Sequence, residues 1–264
     1  MKQRKTALVT GASSGLGRDM ARELARRGCN LALVARREER LLALKAELEA
    51  ENGLSVHVIA VDLGRGGAGA HIEEQVRAAG LNIDILINNA GYGLKGHFLD
   101  VPWEEQKDLI QVDVIAAAEL TRRFLPGMVE RDSGRVMFVA STMAYQAAPG
   151  FATYSAAKGF VLLLGEALAY ELRKTNVRVT VVSPGRAGTE FHDRMKHPPG
   201  LFLRATTMSS EEVARRSINA MLKGKPSVIL GAANSALINS GRFAPRSLAT
   251  ALSSFFARPG SAGA

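Results

Sequence analysis

Cysteine is almost missing: Cys29 stands alone among 264 residues, which excludes a disulfide within the chain and any multi-cysteine metal site. Aromatic residues are scarce at 6%, with one tryptophan, Trp103. No basic stripe interleaved with aromatics and no base-reading motif is present, so a nucleic-acid partner is not expected. Long apolar runs are lacking too. The longest, FVLLLG at 160–165, is far too short to span a bilayer. The basic opening MKQRK is followed only by ALV before a glycine turn, and no signal peptide is expected. The five histidines, at 57, 71, 97, 192 and 197, lack ligand spacing, and no metal is expected. Acidic residues number 25 against 34 basic ones. That excess reads as a solvated basic surface with one anionic cofactor rather than a membrane-binding face. The cytoplasm is the default compartment.

What is present is alternation. KTALVT, NLALVA, LSVHVIAVD, IDILINN, GRVMFVAS, VRVTVVSP and PSVIL read as seven buried strands. Between them lie helical patterns, among them an unbroken one over 101–132 and one opening at Ser209, where Glu212 three residues later completes a capping box. Trp103, at a helix start, is expected to pack. Strand and helix in strict alternation predict a doubly wound seven-stranded parallel α/β sheet with helices on both faces. No linker divides the chain. One domain is expected, its main body at 1–230 and an extension of the same domain at 231–264 that packs on the sheet edge or covers substrate.

Behind the first strand comes LVTGASSGLG at 8–17, with Gly11, Gly15 and Gly17. A strand turning sharply into a helix exposes unpaired amides at the positive end of the helix dipole, which suits a phosphate. Ser13 and Ser14 add hydroxyl donors. Taken alone, the turn is equally compatible with a tight loop that binds nothing.

The wider pattern resembles the short-chain dehydrogenase/reductase family. Thr10-Gly11-x-x-x-Gly15-x-Gly17, NNAG at 88–91, Ser141 followed by YSAAK at 154–158, and SPGRAGTEF at 183–191 match its motifs in order and spacing. The resemblance implies a Rossmann-like fold and a bound nicotinamide dinucleotide. It assigns Ser141, Tyr154 and Lys158 to catalysis. It assigns the dinucleotide to Gly11, Ser13, Ser14, Gly15, Leu16, Gly17, Asp62, Leu63, Asn89, Ala90, Gly91, Tyr154, Lys158, Pro184, Gly185 and Thr189. The implied partners are a small carbonyl or alcohol substrate and, through the apolar helix 158–172, a second copy in a homodimer or homotetramer.

The chemistry explains the residue types. Carbonyl reduction needs a proton donor at oxygen while hydride reaches carbon. If 152–172 is helical, Tyr154 and Lys158 share a face at i and i+4, and the ammonium is expected to draw the phenol pKa down. Ser141 would hold the substrate oxygen. Where the family carries asparagine in the preceding helix, this chain has Asp113. It would act through its main-chain carbonyl and a water, or its carboxylate would pair with Lys158. After the second strand, ALVARREER offers no acidic residue for a ribose but Arg36 and then Arg37. Arginine there favours NADP(H) over NAD(H), with Arg36 the first candidate for the 2′-phosphate and Arg37 the second. An NADP(H)-sensing protein that kept the fold without turnover is the competing reading.

Overall fold

Seven runs rich in β-branched residues do become strands: β1 (Thr6–Thr10), β2 (Asn30–Ala35), β3 (Val56–Ala60), β4 (Ile83–Asn88), β5 (Gly134–Val139), β6 (Val177–Ser183) and, later in the chain, β9 (Ser227–Ile229). The computed structural model describes residues 4–188, 207–241 and 245–257. All pairings in the main sheet are parallel, in the order β3-β2-β1-β4-β5-β6-β9. The order runs backward from β1 and forward from β4, so a crevice opens at the carboxyl edge between those two strands, where such sheets bind ligands. A short pair, β7 (Ala187–Gly188) with β8 (Met208–Ser209), lies outside the sheet and carries no period-2 pattern in the sequence.

Alternate residues of each strand feed two cores. Ala7 and Val9 of β1 join Met20 and Leu24 of α1 (Gly15–Arg26), Leu41 and Leu48 of α2 (Glu38–Asn52), and Ile218 of the helix α7 (Ser210–Leu222). Leu8 faces the other way, towards Ile72 of α3 (Ala68–Ala78), Leu120 of α5 (Ala116–Glu130), and Val161 and Leu162 of α6 (Ala152–Glu171). Each large side chain buried this way stabilises the fold by about 1.5–3 kcal/mol relative to exposure. At α7 the Ser209 hydroxyl accepts the Glu212 amide at 3.2 Å, giving the first half of the expected capping box, while the Glu212 carboxylate turns to Arg215 and Arg216. Two shorter helices, α8 (Ala232–Gly241) and α9 (Arg246–Ala257), follow β9.

Two expectations need correction. The helical stretch 101–132 is not uniform: α4 (Trp103–Ile110) passes through a π turn at Gln111–Ile115 into α5. A π turn holds an extra residue and rotates the following side chains, and such turns gather at functional sites. Trp103 is 59% exposed rather than packed. It opens α4 directly behind Pro102, with its ring outside the core.

Candidate active site

Every expected site residue among the described ones follows or borders the carboxyl edge of the sheet. Thr10 begins the construction. Its hydroxyl donates to the Ile87 carbonyl at 3.1 Å and accepts the amides of Asn89 and Ala90 at 3.0 Å each, while the Asn89 side chain donates to the Thr10 carbonyl at 2.8 Å. One hydroxyl thus clamps the ends of β1 and β4 together. Gly11 has a left-handed φ of 68°, and a β-carbon there would meet Asn89; one on Gly17 would collide with the Gly11 carbonyl. Thr10 acts as a brace that the motif contains but that sequence reasoning gave no role.

Helix α1 starts after Ser14, which is extended and makes no side-chain cap, and its first turn holds no acidic residue. Its leading amides are therefore available to an anion. Arg37 folds over this turn: Nη2 donates to Ser14 Oγ at 2.7 Å and to Ser13 Oγ at 3.2 Å. Arg36 points elsewhere, with Nε 3.9 Å from Asp62 Oδ1. Asp62 also accepts the Gly64 amide at 3.0 Å, and Leu63 beside it is buried. Leu16 packs partly against the core below. Arg37 thus lies against the glycine turn after β1, and Arg36 lies on the Asp62 side, past the carboxyl ends of β2 and β3.

The second half of the site is buried. Ser141 follows β5 and caps a short 3₁₀ turn, its hydroxyl accepting the Met143 amide at 3.2 Å. Tyr154 lies in the first turn of α6, hydrogen-bonded with Ser141. One turn on, Lys158 Nζ donates to the Val139 carbonyl at 3.2 Å, sits 5.8 Å from the Tyr154 ring centroid, and lies 2.9 Å from Asp113 Oδ2. The carboxylate of Asp113 is wholly shut from solvent. It pairs with Lys158. Oδ2 lies off the direction of a good hydrogen bond, so the contact is a close ion pair rather than an aligned one. Oδ1 accepts the Tyr92 amide at 3.2 Å, and a β-carbon on Gly91 would strike the carboxylate. Pro184 accepts the Thr142 amide at 3.1 Å, which draws the end of β6 beside Ser141, and Gly185 abuts Asn234 of α8. Thr189 lies outside the described residues.

These surroundings move the titrations. Burial pushes the Tyr154 phenol up; Lys158 and the Ser141 hydrogen bond pull it back only in part, and Asp113 opposes them. The net direction is upward, because burial outweighs the downward pull that Lys158 exerts as expected. The reason is that the same fold that brings the ammonium close also removes water and supplies a carboxylate. Burial opposes charge on Lys158 as well, but Asp113 and Tyr154 outweigh it and hold the ammonium above the ordinary lysine value. Burial pushes Asp113 up, and Lys158 with the Tyr92 amide recovers a share of that. Tyr92 itself, pushed to about 12 by burial and then by Asp108 and Asp113, stays neutral. No signal in the sequence marked Tyr92 or the π turn that carries Asp113.

Comparison with known proteins bears on family and fold. The profile of a family described as short chain dehydrogenase covers residues 5–199. An uncharacterized oxidoreductase of Myxococcus xanthus is 38% identical over 187 residues, 71% of this chain and 74% of that protein. A very-long-chain 3-oxoacyl-CoA reductase of Laccaria bicolor is 34% identical over 175 residues, 66% of this chain; the chain spans only about half, 52%, of that relative. A solved short-chain dehydrogenase from Sphingobium yanoikuyae in complex with NADPH superposes with a TM-score of 0.79 at 31% identity, over 90% of this chain and 93% of that one.

Proposed function

The chain belongs to the short-chain dehydrogenase family, an oxidoreductase family that binds a nicotinamide nucleotide, and we propose that it interconverts a small carbonyl compound and a secondary alcohol with NADP(H). What carries the reading is the convergence of Ser141, Tyr154 and Lys158 at the carboxyl end of β5, the strand next to β4. Bound there, the nicotinamide would supply the hydride. Everything else falls to the chain. Tyr154 hands its proton to the carbonyl oxygen in reduction and takes it back in oxidation. Ser141 holds that oxygen as negative charge develops. Lys158 stabilises the phenolate, and its main-chain anchor on Val139 fixes where the charge sits. The glycine turn and the leading amides of α1 take the pyrophosphate, with Asn89, Ala90 and Gly91 on the adenosine side, Asp62 and Leu63 at the adenine, and Pro184, Gly185 and Thr189 at the nicotinamide. Arg36 and Arg37 support NADP(H): they follow β2 where an acidic residue would favour NAD(H), and Arg37 lies against the glycine turn.

A homodimer or homotetramer belongs to the same proposal. Helix α6 buries Val161 and Leu162 in the core while Phe160 and Leu163 stand 41% and 68% exposed, so one apolar face of it lacks cover. The deciding experiment is NADPH consumption with a panel of ketones. Tyr154→Phe is expected to lower turnover by about 10²–10⁴-fold while NADPH affinity stays within a few-fold. Retained turnover would remove Tyr154 as the acid. NADPH binding without consumption on any ketone by the wild type would favour the sensor.

A further inference from the structure

We propose that Asp113 is a positioning residue that acts on Tyr154 through Lys158: its carboxylate anchors the ammonium and offsets part of the positive field at the phenol, so Tyr154 keeps its proton over a wider pH range than a neutral residue at 113 would allow. The proposal rests on the carbonyl-alcohol reading above and adds a residue outside its chemical step. Geometry carries it. The π turn aims Asp113 inward, Gly91 leaves room for the carboxylate, and the Tyr92 amide fixes Oδ1 while Oδ2 faces Lys158 at 2.9 Å. Contacts from two segments, Gly91–Tyr92 after β4 and Lys158 on α6, leave the carboxylate one place to be.

Among the described residues, two charged groups act on Tyr154. Lys158 comes from α6 itself and Asp113 from the π turn; Ser141, after β5, contributes a hydrogen bond and no charge. Among the described residues, Lys158 meets Asp113, Tyr154 and the Val139 carbonyl. Tyr92 is neutral, and Asp108, Glu105 and Arg36 act on it rather than on Tyr154. A lone ammonium would project its full field onto the phenol. Paired with a carboxylate it becomes a short dipole, whose field falls faster with distance. Tyr154 therefore holds its proton to higher pH: reduction, which uses the phenol as acid, keeps its plateau further into the alkaline range, and oxidation, which uses the phenolate as base, begins later. At any one pH the ratio of the two directions is fixed by the equilibrium constant, so the effect is on the pH windows and not on the net direction.

The test titrates the full-length protein by ultraviolet tyrosinate absorbance, without substrate. Subtracting the curve of Tyr154→Phe removes Tyr92, Tyr145 and Tyr170 and leaves Tyr154. Asp113→Asn is expected to lower the Tyr154 midpoint by about one pH unit, the scale of one neighbouring charge, and to move the rising limb of kcat for alcohol oxidation down equally. Asp113→Glu, which keeps the charge, should stay near the wild-type midpoint. A midpoint that stays in place or rises in Asp113→Asn overturns the proposal. If that variant fails to fold by circular dichroism, Asp113→Ser, with room for a water, carries the same expectation. The titration needs no turnover, so an inert wild type counts against the proposed reaction and leaves the result for Asp113 readable.

Discussion

Arg22 meets Glu47 at 2.7 Å and Lys158 meets Asp113 at 2.9 Å, yet the first pair joins two surface helices with both side chains 32% exposed, while the second is shut inside the site with 6% and 0%. Length alone predicts equal strength. Surroundings decide otherwise. At the surface, water and salt screen the attraction, and two long side chains lose rotamer freedom to hold it. In the interior the attraction is strong, but each ion has given up its hydration, so the pair is close to neutral for stability and each partner depends on the other. The surface pair can be lost cheaply. The buried one cannot be split without leaving a bare charge.

The sharpest way to break the comparison is to split the buried pair. Lys158→Met leaves Asp113 alone, and the expected loss is about 3–5 kcal/mol of unfolding free energy, read from the denaturation midpoint. The sign with pH follows from Asp113. Burial already pushes its pKa up, and removing Lys158 takes away the main influence that lowers it. A group whose folded pKa is raised contributes its stability at low pH and loses it as pH rises through the folded value, so the deficit of Lys158→Met should be smaller at about pH 5 than at about pH 8. The double variant Lys158→Met/Asp113→Leu should recover most of the loss, because no charge is then left buried. A single-variant loss below about 1 kcal/mol would place the pair in the surface class.

Next in size is the pair of arginines after β2. Each is predicted to contribute a charge-assisted contact of about 1.5–3 kcal/mol to a 2′-phosphate, so Arg36→Ala and Arg37→Ala should each weaken NADPH binding by about 10–100-fold while NADH affinity changes little. Equal losses for both nucleotides would make the arginines braces of the glycine turn. Arg37, which already holds Ser13 and Ser14, is the one for which that outcome would have a ready cause.

Legibility followed the same division between backbone pattern and tertiary surroundings. The strands could be read because both faces of the sheet are covered, which buries β1, β2 and β6 almost end to end and fills them with β-branched and apolar residues. The glycine turn could be read because close approach of Asn89 to Gly11 and Gly17 forbids side chains there. The π turn could not: one extra residue in a turn leaves the apolar spacing on either side intact, and only the assembled fold shows Asp113 facing Lys158. Nor could the direction of the Tyr154 shift, since the i, i+4 spacing announces the ammonium but says nothing of lost water. The uncovered ring of Trp103 and the separate orientations of Arg36 and Arg37 likewise depend on neighbours distant in sequence.

The smallest expected effect sharpens the comparison from the surface side. Glu47→Ala removes the carboxylate that Arg22 holds through two bonds of 2.7 and 2.8 Å, but leaves Arg22 beside the buried Asp19 at 3.4 Å, and alanine suits the helix position. The expected loss is about 0.2–1 kcal/mol. The hydrogen bond from Arg22 holds the Glu47 carboxyl below its ordinary range. A depressed folded pKa contributes stability above the unfolded value and loses it as pH falls through the folded one, so the difference between wild type and variant should be constant near neutrality and vanish in acid. Raising salt to about 1 M should also erase it, because the Debye length then shrinks to roughly the length of the pair itself. Lys158→Met should show no such response, for salt does not reach a carboxylate closed off from solvent. If salt erased both differences alike, exposure would not be what separates the two pairs, and the Lys158–Asp113 contact would have to be open to water.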